Sequence, residues 1–350
     1  MKKILLFLPV ILLLCGCGHK ENYSIIKGIG FETENDSILV SASCAKIDEE
    51  AKLYQAKGTS TAEALDRLLS QAEETPYFEQ NELIILSGEL SKEETKMILH
   101  GYFSKDKRKG SEWIVYTDAK TDELFEAFSA EDILRQMETA KKNASVLPCT
   151  ISSFIAASEG TGSAVLIPAV SLNNDKLCLD RSVIFKDYAY VDSISADALQ
   201  AVLFVMGDAE DIVFTIDAHD EAYCLQVDKQ KLDIAAFIGE NGPHFSINTD
   251  VSLTVIGRSD MTNQKIDVDL IAREAEKQIK SKMEQILKIA VIRQCDFLNL
   301  AARTLNTDEK LFRAYQKDWD NALSMADFNI EVSCNIKVSG IITQPEEPEE

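Results

Sequence analysis

Apolar and polar residues alternate in short blocks through the first part of the chain. Residues 25–31 and 38–44 predict two strands joined by a turn at 34–37, which together form a hairpin. Apolar residues three and four positions apart within 64–69 then predict an amphipathic helix. Residues 83–86 are a continuous apolar run, typical of a strand that is covered on both faces. This alternation of strands and helices favours mixed α/β layers.

In the middle of the chain, the predicted elements change from helices to short strands. Ser91 and Glu94 have the spacing of a capping box and predict the start of a helix. Residues 130–158 predict a helical segment that is interrupted by a proline. From 164 to 256 short strands recur with turn residues between them, and one helix at about 195–206 interrupts the series.

The longest predicted element follows at residues 267–305. Apolar residues recur along it at helical spacing, and this stretch contains neither proline nor glycine. A single helix of that length would approach ~55 Å. A shorter helix at 308–325 and an alternating strand at 328–338 are predicted to close the folded part. Residues 344–350 are acidic and proline-containing, and we expect this tail to be disordered.

The N-terminus has the three parts of a secretory signal: a positive start, an apolar run and small residues before a cysteine. Leu14, Gly16 and Cys17 have the spacing of the bacterial lipobox, in which the cysteine thiol receives a diacylglyceryl group. We therefore predict a lipoprotein signal peptide over 1–16, lipidation at Cys17 and a lipidated tether over 17–24. A plain secretion signal is the alternative. Two acyl chains make a stable membrane anchor, whereas one chain is marginal.

Composition indicates an acidic folded body. Of the 350 residues, 45% are hydrophobic and 27% are charged, as in folded proteins. The formal net charge is −22, and it becomes −24 when Lys2 and Lys3 leave with the signal. Such a body repels phosphate backbones, which argues against a nucleic-acid partner. Anionic lipid headgroups repel it too, so we expect the anchor to hold it near the bilayer rather than adsorbed on it.

The cysteines do not indicate a metal site or a disulfide framework. Cys15 is predicted to leave with the signal and Cys17 to be lipidated. The other six occur singly without a CxxC pair, and we expect mostly reduced, buried thiols. They are Cys44, Cys149, Cys178, Cys224, Cys295 and Cys334.

Catalytic motifs are equally weak, and we expect no catalytic residue, metal or cofactor. The four histidines, His19, His100, His219 and His244, have no second ligand at metal-binding spacing. His219 with Asp220 is the one suggestive pair. Ser43 and Lys46 match the bare Ser-x-x-Lys pattern, but they lie in a predicted strand and the companion motifs are missing.

One basic run, residues 105–109, stands out in this acidic protein. A solvated loop is its simplest interpretation. Contact with membrane phosphate or with an acidic partner is the alternative, worth about 1 kcal/mol per charge near a lipid surface.

Several segments, in order over nearly the whole mature chain, resemble the Ger(x)C family, the lipoprotein C subunits of the nutrient germinant receptors of bacterial spores. The matching segments are residues 26–31, 58–64, 82–87, 182–186, 294–299, Trp319 and 328–340. The chain departs from the family pattern just after the lipidated cysteine. It also has Asn299 and Leu300 where a glycine is expected near the end of the long helix.

The resemblance implies an α+β multidomain fold of three mixed α/β domains with mostly antiparallel sheets. We expect an N-terminal α/β region over 25–190 and a C-terminal α/β region over 191–343 that includes the long helix 267–305. By the same resemblance, the protein is a non-enzymatic scaffold subunit on the outer face of the spore's inner membrane. Its implied partners are the integral-membrane A and B subunits of the receptor and, through Cys17, the lipid bilayer.

A solute-binding lipoprotein of a transporter is the alternative function. Such a protein has two doubly wound lobes joined by crossing strands, which the strand-rich middle and the closing helix–helix–strand block fit poorly. An envelope hydrolase would require catalytic residues that the sequence does not offer.

Overall fold

A computed structural model of the chain describes residues 23–45, 52–104, 109–160, 162–174, 176–218, 221–238, 242–259 and 266–338. The predicted signal peptide, Cys17 and the acidic tail lie outside these residues. The described strands form two sheets, one of nine strands and one of four.

The nine-stranded sheet has the order β3-β2-β1-β5-β6-β7-β8-β9, and β4 pairs with the start of β1. Its strands are β1 Tyr23–Glu34, β2 Ser37–Cys44, β3 Leu53–Gly58, β4 Thr75–Tyr77, β5 Leu83–Ser87, β6 Trp113–Thr117, β7 Ala164–Asn173, β8 Lys176–Lys186 and β9 Ala189–Ser195.

This sheet is parallel in its centre and antiparallel at both sides. Strands β1, β5, β6 and β7 run parallel, whereas β2–β3 and β8–β9 are antiparallel additions. Helices connect the central strands. A chain that crosses back through a helix enters the sheet again in the same direction, so these strands pair in parallel. The expectation of mostly antiparallel sheets therefore holds for the outer strands and is wrong for the centre.

Within the described residues, the five helices that lie between β3 and β7 in the sequence cover the two faces of the nine-stranded sheet. They are α1 Thr61–Gln71, α2 Lys92–Phe103, α3 Thr121–Ala127, α4 Ala130–Lys142 and α5 Ile151–Glu159. Side chains of α1, α2 and α5 share one hydrophobic cluster with the sheet, and those of α3 and α4 share another. Every residue of β5 is buried, as the continuous apolar run predicted.

Two glycines in β1 allow α3 and α4 to lie unusually close to the sheet. A Cβ atom at Gly28 would be 2.5 Å from Cβ of Ala130, and one at Gly30 would be 2.5 Å from Cβ of Thr121. The hydroxyl of Thr121 bonds to Glu32 Oε1 at 3.0 Å and to Ser41 Oγ at 2.9 Å in the same buried contact. Glycine in this strand therefore serves helix packing.

The second sheet has the order β10-β11-β12-β13, and β13 is parallel to β12. Its strands are β10 Val213–Ala218, β11 Glu221–Ile238, β12 Pro243–Arg258 and β13 Asp327–Val338. The accompanying helices are α6 Ala196–Met206, α7 Val268–Arg293, α8 Leu300–Thr307, α9 Glu309–Tyr315 and α10 Trp319–Ser324. The predicted apolar stripe of α7 is buried in the hydrophobic core beside this sheet. Throughout the described part of the chain, every helix is too short or too polar to cross a bilayer.

The prediction of one very long helix over 267–305 is wrong. Helix α7 has 26 residues and ends at Arg293, a length of about 39 Å. Gln294 adopts a left-handed conformation with φ 51°, which terminates the helix, and α8 begins only at Leu300. Glutamine gives no sequence signal for this conformation, which usually selects glycine or asparagine.

The predicted hairpin and capping box are confirmed, whereas the predicted C-terminal helix is divided. The hairpin turn has Asn35 and Asp36 at φ 50° and 61°, as the tight turn requires. Ser91 and Glu94 form the predicted capping box. The helix predicted at 308–325 is interrupted by a 3₁₀ turn at Gln316–Asp318. The predicted boundary between residues 190 and 191 falls inside β9.

The close contact at Gly30 predicts sensitivity to one added methyl group. We expect Gly30→Ala to lower the free energy of unfolding by about 1–3 kcal/mol, because the new Cβ overlaps Thr121 and forces α3 away from the sheet. Urea unfolding of the detergent-solubilised chain, followed by circular dichroism, measures this change.

Gly257→Ala is the matched control, since a Cβ there meets its nearest neighbour, Cβ of Cys224, at an ordinary 3.5 Å. We expect it to change the free energy of unfolding by less than about 0.5 kcal/mol. Equal effects of the two substitutions would contradict the packing role assigned to Gly30.

Candidate functional site at the junction of the two sheets

The carboxylate of Asp296 is the centre of a buried polar cluster between α7 and α8. Asp296 is 1% exposed. Its Oδ1 accepts from the backbone N–H of Leu300 at 2.7 Å, and its Oδ2 accepts from that of Ala301 at 2.6 Å. The indole Nε1–H of Trp319 donates to the same Oδ2 at 3.1 Å. One side chain thus caps α8 and binds the start of α10.

The backbone around Asp296 is shaped by two left-handed residues. Gln294 has φ 51° and Asn299 has φ 59°. Between them the chain turns sharply, so that the Asp296 carboxylate faces the first free N–H groups of α8. These N–H groups have no partner inside the helix, and a carboxylate satisfies them better than water could at this depth.

Lys186 connects this cluster to the nine-stranded sheet. It is the last residue of β8, and its Nζ donates to the carbonyl oxygen of Gln294 at 2.6 Å. The same ammonium group lies 2.5 Å from Oδ2 of Asp320. One lysine therefore joins the end of α7 and the start of α10 to the first sheet.

The start of β7 makes a second connection. Ser163 pairs with Asp296 in a short parallel bridge. Gly162 precedes it with φ 63°, and a Cβ there would be 2.4 Å from Cδ1 of Trp319. Only glycine accommodates both this conformation and the indole ring. We call the set Gly162, Lys186, Asp296, Trp319 and Asp320 the junction.

Burial controls the electrostatics of the junction. It raises the pKa of Asp296 to about 6, although the N–H donors of Ala301, Leu300 and Trp319 act in the opposite direction. Burial likewise raises the pKa of the neighbouring Cys295 thiol. Since Asp296 and Trp319 are each 1% exposed, a substrate cannot reach them in this conformation. The junction holds structural elements together.

Three motifs that resemble the Ger(x)C family meet in the junction. Lys186, Asp296 and Trp319 lie in separate matching segments of the sequence. In the structure Trp319 donates to Asp296, and Lys186 binds Gln294 and Asp320 beside them. Sequence reasoning matched the motifs without finding their contact. The one available signal was an aspartate between apolar neighbours, in the run Cys295–Leu298, because a buried carboxylate requires donors.

Among the described residues, none of the other predicted positions belongs to the junction. Cys17, His19, Lys46, His219 and Asp220 lie outside the described residues, as does most of the basic run 105–109. All six cysteines of the folded part are free thiols, of which Cys44, Cys149 and Cys295 are buried. Burial raises the pKa of Cys44 to about 11 and that of Cys149 to about 12, which disfavours the reactive thiolate.

Ser43 and the described histidines have structural partners. Ser43 lies in β2, and its Oγ accepts from the backbone N–H of Ala130 at 3.2 Å. His100 Nε2 lies 3.0 Å from the hydroxyl of Tyr188, and His244 Nδ1 lies 3.1 Å from Asp327 Oδ2. Among the described residues, no group of three or more His, Cys, Asp or Glu side chains is arranged to hold a metal ion.

A cleft of about 510 Å³ opens beyond the carboxyl ends of β5 and β6. Tyr116, Tyr190 and Asp118 line it. The guanidinium of Arg181 pairs with Asp118 and lies 5.9 Å from the centroid of the Tyr116 ring. The guanidinium of Arg181 thus already contacts the acidic and aromatic side chains that line the cleft.

Two family models match consecutive parts of the sequence. The model described as "Spore germination protein N-terminal domain" matches residues 20–172. The model described as "Spore germination B3/ GerAC like, C-terminal" matches residues 180–340. The two matches include every residue of the junction.

A solved structure, "Crystal Structure of the GerBC protein", has a similar fold. The sequences are 17% identical, the TM-score is 0.62, and the similarity covers 90% of this chain and 99% of that chain. At this identity the likeness concerns the fold alone. None of the curated proteins matches the sequence.

The raised pKa of Asp296 predicts a pH-dependent stability. The folded chain binds this proton up to about pH 6, whereas the unfolded chain releases it near the ordinary value of 3.8. The stability that Asp296 contributes is therefore full below about pH 3.8 and is lost as the pH rises through about 6. Relative to Asp296→Asn, we expect the free energy of unfolding of the wild type to fall by about 2 kcal/mol between about pH 4.5 and about pH 7.5.

Urea unfolding of the two proteins at both pH values measures this difference. Asp296→Asn is its own control for the rest of the titration, since it retains an acceptor oxygen and every other carboxylate but has no titrating group at this position. A difference that stays constant with pH would contradict the raised pKa.

Proposed function

The chain belongs to the Ger(x)C family of spore germination proteins, and on that basis we propose that it is the C subunit of a nutrient germinant receptor. The consecutive match of both family models, over 20–172 and 180–340, carries this proposal. The fold likeness to the GerBC structure, which extends over 99% of that chain, supports it.

We propose that the subunit is a lipoprotein anchored through Cys17 to the outer face of the spore's inner membrane. The lipobox spacing of Leu14, Gly16 and Cys17 supports this location. Strand β1 begins at Tyr23, so the folded body follows closely after the anchor. Two acyl chains contribute about 0.8 kcal/mol per buried methylene, enough for stable attachment.

Within the receptor, the proposed role is that of a non-enzymatic scaffold. The junction supports this role, because Lys186 and the Ser163–Asp296 bridge connect the two sheets and the Asp296 carboxylate is buried. The proposed division into regions 25–190 and 191–343 fits the grouping of strands into two sheets, apart from β9. The proposed partners are the integral-membrane A and B subunits. The net charge of −22 makes nucleic acid an unsuitable partner.

The anchor predicts a simple change in membrane attachment. We expect Cys17→Ala to leave the body folded and to release it from the membrane fraction, because the acyl chains are then absent. Fractionation followed by immunoblotting measures the attachment, and circular dichroism of the released protein measures folding.

Cys15→Ala is the matched control. This cysteine is predicted to leave with the signal, so its replacement should keep the chain in the membrane fraction. A Cys17→Ala protein that remains wholly membrane-bound would sink the anchor proposal.

The receptor assignment predicts the composition of the native complex. We expect the tagged, detergent-solubilised chain to recover two multi-pass membrane proteins in a constant ratio from spore membranes. Mass spectrometry of the recovered complex tests this. Recovery of a permease and an ATPase instead would contradict the receptor assignment and favour a solute-binding lipoprotein.

A further inference from the structure

One edge of the nine-stranded sheet lies next to the proposed anchor. Strand β1 begins at Tyr23, six residues after Cys17. Because β4, β5 and β6 run parallel to β1, they begin at the same edge. We call this region the amino edge and define it by the described residues 23–24, 52–54, 75–82 and 109–113.

Aromatic side chains concentrate at the amino edge. Tyr23 is 50% exposed, although it belongs to a strand whose later residues are mostly buried. Its ring centroid is 6.2 Å from that of Tyr77 in β4. Tyr54, Phe78 and Trp113 are also partly exposed here. Tyrosine and tryptophan have an apolar body with one polar tip, and such side chains are enriched where protein meets lipid headgroups.

Lysines at and beside this edge form ion pairs with glutamates. Lys52 Nζ lies 3.2 Å from Glu74 Oε1, and the ammonium of Lys27 lies 2.6 Å from Glu82 Oε1. Lys109 is exposed at the start of the β6 segment. Within the defined edge, Lys52 and Lys109 stand against Glu79, Glu82 and Glu112. Charge therefore does not favour this edge over the rest of the acidic surface, and its contact with the bilayer rests on the aromatic side chains and the short tether.

The reach of the chain limits how far the amino edge can lie from the bilayer. Six residues extend at most about 20 Å, so an anchored Cys17 keeps Tyr23 within that distance of the headgroups. The far end of β1 is eleven residues away, a span of about 36 Å. An anchored body can therefore hold the turn after Glu34 far from the membrane, but its amino edge stays within reach of the headgroups.

We propose that the amino edge lies on the bilayer surface, with its exposed aromatic rings among the headgroups. This inference rests on the proposed lipid anchor, and it assigns an orientation to the anchored subunit. The cleft lined by Tyr116 and Tyr190, beyond the carboxyl ends of β5 and β6, then opens away from the membrane. This orientation distinguishes the face of the receptor complex that contacts the bilayer from the face that is open to solvent.

Tryptophan quenching by brominated lipids tests the orientation. The chain has two tryptophans, Trp113 at the amino edge and the buried Trp319. The lipidated full chain is reconstituted into vesicles of phosphatidylethanolamine and phosphatidylglycerol whose acyl chains carry bromine near the headgroup. We expect these vesicles to quench most of the Trp113 emission. The Trp113→Phe variant should lose that response and retain the unquenched emission of Trp319.

Two matched reporters in the Trp113→Phe background sharpen the test. Tyr23→Trp places a tryptophan at the amino edge, and Tyr190→Trp places one beside the cleft, where Tyr190 is 40% exposed. Both replace an exposed tyrosine by another aromatic residue, so circular dichroism should detect no loss of fold. We expect brominated vesicles to quench the first reporter and not the second.

Flotation of the same vesicles separates the two proposals. A chain that floats, with the Tyr23→Trp reporter quenched, supports the orientation. A chain that floats but has the Tyr190→Trp reporter quenched at least as strongly overturns the orientation and leaves the anchor intact. A lipid-loaded preparation that does not float overturns the anchor, and the orientation with it.

Discussion

The Asp296 carboxylate is removed from water, and its need for hydrogen-bond donors organises the C-terminal part of the molecule. Its donors come from the first turn of α8 and from the indole of Trp319, so two helices must meet at one side chain. Leaving any of these groups unpaired at this depth would cost several kcal/mol. The left-handed backbone at Gln294 and Asn299 is maintained because this network over-determines it.

The same physical requirement, close approach without unpaired groups, governs the first sheet. Gly28 and Gly30 remove side chains from β1 so that α3 and α4 can pack onto it. The hydroxyl of Thr121 then forms hydrogen bonds with the side chains of Glu32 and Ser41 within this contact. The fold thus combines apolar layers with a few buried polar contacts, and the polar contacts specify how the layers meet.

Local signals predicted local structure well. Ser91 and Glu94 capped a helix, the residues around Asn35 formed a hairpin, and the apolar run of β5 was buried on both faces. The failures involved contacts between residues distant in sequence. Helix α7 ends at Arg293 because Gln294 adopts a left-handed conformation next to the junction, and no proline or glycine in the sequence signals this end. The pairing of Asp296 with Trp319 depends on two helices that must first be placed.

A continuous series of contacts connects the proposed anchor to the second sheet. The proposed anchor precedes β1, the sheet extends from β1 through β5 and β6 to β7 and β8, and the junction begins at the end of β8 with Lys186. The second sheet is attached beyond the junction through α7 and α10. The second sheet is held against the first by Lys186, by the Ser163–Asp296 bridge and by one hydrophobic core that includes Ala164, Leu166 and Ile184 of the first sheet. Because this core is closely packed, a displacement of one sheet is transmitted to the other, and the two sheets move together.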